Sequence, residues 1–150
     1  QLLAGLIRSG TWPELNADLF CVLLPTSPLR TLRHLVESRL LLLPSVDLVM
    51  SVTPIKANLR YALSDDHEGL WRLDSAQWDP LLTPLIHDGT VIWCTRAVAE
   101  AGEGFYNWPK CVAYHLPSHE AIDVNTQLDL DVADFLLRRR EGLPARADGL

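Results

Sequence analysis

Apolar residues follow two spacings along the chain, one typical of buried strands and the other of helices. Nearly continuous apolar runs occupy residues 18–24 (DLFCVLL) and 47–52 (DLVMSV), and prolines follow both closely. Short runs of this kind are typical of strands covered on both faces, so we predict a parallel sheet. Residues 31–43 have helical apolar spacing and end before Pro44. The apolar positions of this helix are Leu32, Leu35, Val36 and Leu40. The order strand, helix, strand predicts a right-handed crossover.

The same alternation returns in the second half of the chain. Residues 90–95 (TVIWCT) and 110–116 (KCVAYHL) are predicted strands, and residues 96–101 form a short helix after the first of them. A terminal helix is predicted over residues 127–140. Its inward-facing positions are Leu128, Val132, Phe135 and Leu136. Residues 56–87 are rich in Pro, Asp and Trp and have only weak apolar alternation, so we interpret them as an insertion or lid.

The length, composition and net charge of the chain exclude several classes of protein. A chain of 150 residues that is 48% hydrophobic can bury one sizeable core, so we predict one domain over residues 1–142 and a flexible tail over residues 143–150. The net charge of -6 argues against a surface that binds nucleic acid or anionic membranes. No apolar stretch approaches the roughly 20 residues of a membrane span. Three widely spaced cysteines fit neither a disulfide framework nor a zinc site. We therefore expect a cytoplasmic protein with small-molecule or protein partners.

The first candidate site is the segment 24–31 (LPTSPLRT), directly after the first predicted strand. Loops at the carboxyl ends of parallel strands are where α/β folds bind ligands. The hydroxyls of Thr26 and Ser27 can form hydrogen bonds to a ligand, and Arg30 can pair with a phosphate or carboxylate. The alternative is a rigid turn in which Thr31 is simply the N-cap of the following helix.

The second candidate site is the segment 121–129 (AIDVNTQLD), just before the terminal helix. Asp123 and Asn125 are two residues apart, so in extended backbone their side chains point the same way and can share a cation. Magnesium is typically held by one or two carboxylates together with substrate phosphates. The alternative is that Asn125 or Thr126 caps the helix and Asp129 favours its first turn.

These segments resemble the acylneuraminate cytidylyltransferases, which activate sialic-acid-like sugars. LLPTSPLRT is similar to the family's LQPTSPLR loop, SVTP at residues 51–54 is similar to its SVTP, and DVNTQLDLDVAD is similar to its DIDTELDFELAE. Between them, DGTVIW resembles NGAIYI, and GEGFYNWPKCVAYHLP parallels FYGGKVIPYVMP. The matches occur in the family's order and extend to about Arg140.

The resemblance implies a Rossmann-like nucleotide-diphospho-sugar transferase fold of the glycosyltransferase-A type, with a mixed sheet flanked by helices. It also implies a Mg²⁺-dependent transfer of CMP from CTP to an acidic nonulosonic sugar, with release of pyrophosphate. By the same resemblance, the protein is a homodimer in which residues 56–87 reach towards the partner subunit.

Residue by residue, the resemblance assigns roles to both candidate segments. Arg30 and Asp123 take the catalytic positions, and Asp123 and Asn125 take the metal-binding positions. The substrate-binding positions are Thr26, Ser27, Arg30, Gln77, Asp88 and Gly89.

The sequence departs from the family at five points, one of which is the absence of the basic residues that the family has around residues 77–80 (QWDP). It lacks the glycine-rich phosphate loop that opens the family's sequences, which indicates an N-terminally truncated domain. Leu24 replaces a glutamine, Asp88 an asparagine and Asn125 an aspartate, and each change weakens anion or metal binding. Two hypotheses follow: a piece of a longer cytidylyltransferase, or an inactive nucleotide-sugar-binding or dimerisation module of the same fold. In either case we expect the chain alone to bind CTP weakly or not at all and to be inactive.

Overall fold

A computed structural model gives the fold. It describes residues 2–10, 16–55, 63–65, 70–72, 84–101 and 108–144. The helices are α1 (Leu2–Ser9), α2 (Leu32–Leu40), α3 (Arg96–Ala101) and α4 (Gln127–Glu141). The strands are β1 (Leu19–Val22), β2 (Leu48–Pro54), β3 (Leu63–Asp65), β4 (Leu70–Arg72), β5 (Leu85–Thr95) and β6 (Cys111–His115).

The main sheet is mixed and has the strand order β1-β5-β2-β6. Strands β1 and β2 both run antiparallel to β5, whereas β2 and β6 are parallel. The prediction of a parallel sheet is therefore wrong for β5, which lies between β1 and β2 and runs antiparallel to both. The coarser prediction, a mixed sheet flanked by helices, is confirmed.

The segment predicted as an insertion, residues 56–87, contains more regular structure than expected. Strands β3 and β4 pair antiparallel, with Leu63 opposite Arg72. Strand β5 begins at Leu85, five residues before the predicted start at Thr90. The sequence Asp88–Gly89 is typical of a turn, so the strand was not predicted to extend through it. In the structure both residues lie in a bulge of β5.

Two apolar layers cover the two faces of the main sheet. On one face the core joins the sheet to α1 and α3, and its buried members are Ile7, Phe20, Leu48, Met50, Ile92, Cys94, Val98 and Ala99. On the other face a smaller core lies beside the end of α2, and its buried members are Val49, Tyr114 and Leu116. Alternate residues of β2 pack on opposite faces of the sheet, as strand geometry requires.

Among the described residues, no helix has both the length and the apolar character needed to cross a membrane.

Helix α2 packs through its polar face. His34 and Ser38, one turn apart, are fully buried, whereas the apolar stripe on the opposite side is exposed. That stripe consists of Leu32, Val36 and Leu40, which are 75%, 51% and 71% exposed. Burial of a polar face is tolerated because its groups are bonded: Ser38 donates to the carbonyl of His34 at 2.5 Å and accepts from Trp93 Nε1 at 3.0 Å.

Helix α4 also differs from expectation in its orientation. Its one buried residue is Ala133, whereas Leu128 and Phe135 are 70% and 54% exposed. Val132 is also exposed, and only Leu136 among the four predicted positions is half-buried. The inward-facing assignment is therefore wrong for three of those four residues, because the small Ala133 rather than the apolar stripe meets the rest of the chain.

Candidate functional site

The candidate site is built around an irregularity in the pairing of β2 with β5. Met50 lies opposite Ile92 but Val52 lies opposite His87, so four residues of β5 face Ser51 alone. The Ser51 hydroxyl fills the gap: it donates to Asp88 Oδ1 at 2.6 Å and accepts from the backbone N–H of Val91 at 2.9 Å. A side chain thus replaces the interrupted ladder of backbone hydrogen bonds.

Asp88 is enclosed by this bulge. Its side chain is 4% exposed, and Oδ1 also accepts from the backbone N–H of Thr90 at 2.8 Å. Oδ2 is buried and has no hydrogen-bond partner among the described residues. The carboxylate that the resemblance assigns to sugar binding therefore has a structural role in holding β5 to β2.

Gly89 allows the loop over residues 24–31 to approach β5. Its φ is 77°, in the region that favours glycine, and a Cβ built here would lie 2.8 Å from Leu24 Cδ1 and 3.2 Å from Ser27 Oγ. Ser27 is buried and its hydroxyl donates to the carbonyl of Asp88 at 3.2 Å. The Asp88–Gly89 pair and the proline-flanked loop therefore fit together as one unit.

The guanidinium group of Arg30 holds the loop over residues 24–31 in place. Its Nε donates to the carbonyl of Thr90 and its Nη2 to the carbonyl of Leu24, both at 2.5 Å. Burial lowers the pKa of Arg30, while the nearby Cys21 and Asp88 act to raise it. Nε and one N–H of Nη2 are thus committed to backbone carbonyls, which leaves the two N–H groups of Nη1 and the second of Nη2 for a ligand.

A single backbone hydrogen bond joins the two candidate segments. The N–H of Val124 donates to the carbonyl of Thr26 at 2.8 Å. Because β5 is antiparallel to its neighbours, its beginning lies at the same sheet edge as the ends of β1 and β6. Residues distant in sequence are thereby brought together at this edge: Thr26, Ser27, Arg30, Asp88, Gly89, Asp123 and Asn125.

Asp123 and Asn125 lie side by side, as their spacing predicted. Asn125 Nδ2 donates to Asp123 Oδ2 at 2.9 Å, and both residues are exposed. The capping alternative is confirmed as well, because Thr126 is the N-cap of α4 and forms a reciprocal capping box with Asp129. Hydrogen bonds from Thr126 and the Asn125 backbone lower the pKa of Asp129.

The fit of this pair to magnesium is partial. Asp123 supplies one carboxylate, the minimum that Mg²⁺ uses together with substrate phosphates, and Asn125 adds a neutral amide. Within the described ranges, no group of three His, Cys, Asp or Glu side chains is arranged to hold a metal ion. A magnesium ion at this edge would therefore depend on phosphate oxygens for most of its coordination.

His87 belongs to the site although the sequence placed it at the end of the insertion. Burial lowers its pKa, while the carboxylates of Asp88 and Asp123 act to raise it. The histidine of β5 and the acid before α4 are therefore electrostatic neighbours. The sequence feature that could have identified His87 is its position directly before Asp88. It was missed because the strand was expected to start at Thr90, three residues after His87.

Beside this edge, a buried histidine organises the start of α2. The Nδ1 of His34 accepts from the backbone N–H of Thr31 at 3.3 Å, so Nε2 carries the hydrogen and donates to Glu120 Oε2 at 2.9 Å. Arg33 donates to the same oxygen at 2.6 Å. Although burial raises the pKa of Glu120, the hydrogen bond from His34 and the charge of Arg33 hold it below its ordinary value. The expected N-cap, Thr31, is confirmed.

One proposed substrate-binding residue and one buried cysteine remain to be described. Gln77, assigned to substrate binding, lies outside the described residues. Cys94, in β5, is buried in the core, and burial raises the pKa of its thiol to about 11. That thiol is therefore unsuited to act as a nucleophile.

Comparison with known proteins gives no match: no protein-family model and no curated protein sequence matches this chain.

Proposed function

We propose that this chain carries the nucleotide and sugar site of a cytidylyltransferase that acts on acidic nonulosonic sugars. The observation that supports the proposal is the meeting of three family-like segments at one sheet edge. The loop over residues 24–31 contacts Gly89 of β5, and its Thr26 carbonyl accepts from Val124 in the Asp123–Asn125 segment. Three segments that are separate in the sequence, each with family-like residues, thus lie close together at one edge of the sheet.

The proposed reaction is an in-line displacement at phosphorus. A hydroxyl oxygen of the sugar attacks the α-phosphorus of CTP, the bond to the bridging oxygen breaks, and pyrophosphate leaves with the electron pair while the hydroxyl proton passes to water. Such transfers depend mainly on positioning and charge neutralisation. Bound magnesium would supply charge neutralisation on the phosphate oxygens.

The chain's own residues would contribute unequally to this chemistry. Asp123 would hold the metal, and the partly exposed Thr26 would offer its hydroxyl to the substrate. Arg30 would act chiefly by holding the loop in shape, since two of its nitrogens bind backbone carbonyls, and Nη1 would remain for a phosphate. Asp88 would support the bulge from within the sheet. The proposed homodimer is a further part of this proposal and rests on the family resemblance.

A second candidate function, binding of a nucleotide sugar without transfer, is favoured by one observation. The second position of the metal pair is Asn125, whose amide nitrogen donates to Asp123. This arrangement leaves a single carboxylate where the family has two. A site of this kind could bind a nucleotide while lacking the charge needed to stabilise the transferred phosphoryl group.

Pyrophosphate release distinguishes the two functions. The chain is incubated with CTP, MgCl₂ and N-acetylneuraminate, and we expect little or no release until Asn125→Asp restores the second carboxylate. Asp123→Ala in that background should abolish the release, and Asp131→Asn, on the exposed face of α4, should leave it unchanged. CTP binding without release from Asn125→Asp supports the binding module. Neither binding nor release would overturn both functions.

A further inference from the structure

A concave site lies between the beginning of α2 and the end of α4. It has a volume of about 650 Å³, within the range of roughly 300–1,000 Å³ typical of small-molecule sites. Its lining is formed by Leu29, Thr31, Arg33, His119, Glu120, Leu136, Arg139 and Arg140. Leu29 and Thr31 belong to the loop over residues 24–31, but none of the seven residues gathered at the proposed nucleotide site lines this pocket.

The lining has a local surplus of positive charge in an acidic chain. Three arginines face one glutamate, whereas the whole protein has a net charge of -6. Two of the arginines are held in place: Arg33 donates to Glu120 at 2.6 Å and to Glu37 at 3.4 Å, and Arg140 Nη1 donates to the carbonyl of Leu29 at 3.1 Å. Both keep other guanidinium N–H groups available for a ligand.

Arg139 differs from its neighbour Arg138. Arg138 forms an ion pair with Asp134 at 2.8 Å, one turn earlier on α4. Within the described part of the chain, the Arg139 side chain has neither a hydrogen bond nor an ion pair, although it lines the pocket. A cation at a helix C-terminus is favourable by itself, but that effect does not require Arg139 and Arg140 to flank a concave surface opposite Arg33.

The geometry points to a binding site for a small molecule that carries a phosphate or diphosphate group. Planar guanidinium groups match pairs of phosphate oxygens, and three of them can contact one diphosphate from different sides. Leu29 and Leu136 give the pocket apolar walls, which suit the organic part of a phosphate ester. This inference is independent of the cytidylyltransferase proposal, since it needs neither CTP nor magnesium.

Calorimetric titrations with EDTA present test the inference. One arm uses inorganic pyrophosphate and the other glucose 6-phosphate, so that a site for the free anion is distinguished from one that also uses the apolar walls. The test variant is Arg139→Gln. The matched control is Arg39→Gln, which removes the same charge from the last turn of α2, outside the pocket.

We expect at least one of the two probes to bind and Arg139→Gln to weaken its binding about tenfold or more, because the substitution removes charge-assisted hydrogen bonds to the phosphate group. Arg39→Gln should change the affinity less than about twofold. Equal losses in the two variants would indicate attraction by the whole surface and overturn the inference. If neither pyrophosphate nor glucose 6-phosphate binds, the inference is overturned as well, and none of these results would bear on CTP binding at the other site.

Discussion

The hydroxyl of Ser51 donates a 2.6 Å hydrogen bond to Oδ1 of Asp88, a residue 37 positions later in the chain. This bond closes the bulge between β2 and β5 and keeps a buried carboxylate bonded. It also fixes the position of Gly89, against which the loop over residues 24–31 packs. The shape of the candidate site therefore depends on a contact inside the sheet.

Replacement of Ser51 by alanine should destabilise the fold by about 2 kcal/mol. The substitution removes one donor to buried Asp88 and the acceptor of the Val91 N–H, and an unsatisfied buried polar group costs roughly 1–3 kcal/mol. Urea unfolding measures the change. Ser45→Ala, at an exposed position after α2, is the control and should have almost no effect. Equal stability of the two variants would contradict the role given to Ser51.

A methyl group at Gly89 should be more damaging than one at Gly142. Both glycines have positive φ, 77° and 68°, so both alanine variants bear the backbone cost of about 1 kcal/mol. Only at Gly89 would the new Cβ also meet Leu24, at 2.8 Å. We expect Gly89→Ala to cost about 1–3 kcal/mol more than Gly142→Ala in thermal or urea unfolding. A difference near zero would show that the loop is not closely packed on β5.

Local sequence chemistry explains which parts of this fold were predictable. The N-cap at Thr31 and the capping role of Thr126 follow from side chains bonding backbone groups three residues away. Helix α3 was predicted with the bounds that the structure has, because its apolar spacing and neighbouring strand agree. The joint placement of Asp123 and Asn125 likewise needs only the geometry of extended backbone.

Features that depend on distant partners were not predictable. Helix α2 buries His34 because Glu120, 86 positions away, accepts its hydrogen bond. The bulge at Ser51 needs Asp88, and β5 inserts between β1 and β2 although it follows both in sequence. An apolar period identifies a helix, but the polar contacts of the folded chain decide which face packs.

Substitutions in α4 test its observed orientation. Phe135→Ala should cost less than about 1 kcal/mol, because the ring is 54% exposed, whereas a buried phenylalanine would cost about 3–5 kcal/mol. Ala133→Leu should cost about 1–3 kcal/mol, because it forces a larger side chain into a position that is 1% exposed. Chemical unfolding of both variants gives the comparison. The reverse order of costs would restore the orientation expected from the sequence.

Acid should remove the stabilisation that Glu120 provides. Its pKa in the folded protein lies below the ordinary value of 4.5, so folding favours the carboxylate form. That stability is fully present above 4.5 and is lost as the pH falls through the folded-state pKa. Glu120→Gln should therefore be less stable than the parent at about pH 7, and the difference should shrink towards about pH 3. A difference that stays constant over this range would show that the charge of Glu120 is not responsible.

The most direct test of the proposed function is a titration of the ¹⁵N-labelled chain with CTP in the presence of MgCl₂, followed by backbone amide NMR. The account predicts weak binding, with Kd of about 1 mM or higher. The amide signals of Ser27, Gly89 and Asn125 should shift along one binding curve, and Asn125→Asp should move that curve to lower CTP concentrations. Shifts confined to the region of Arg139, or no shifts in either protein, would contradict the claim that this sheet edge is a nucleotide site.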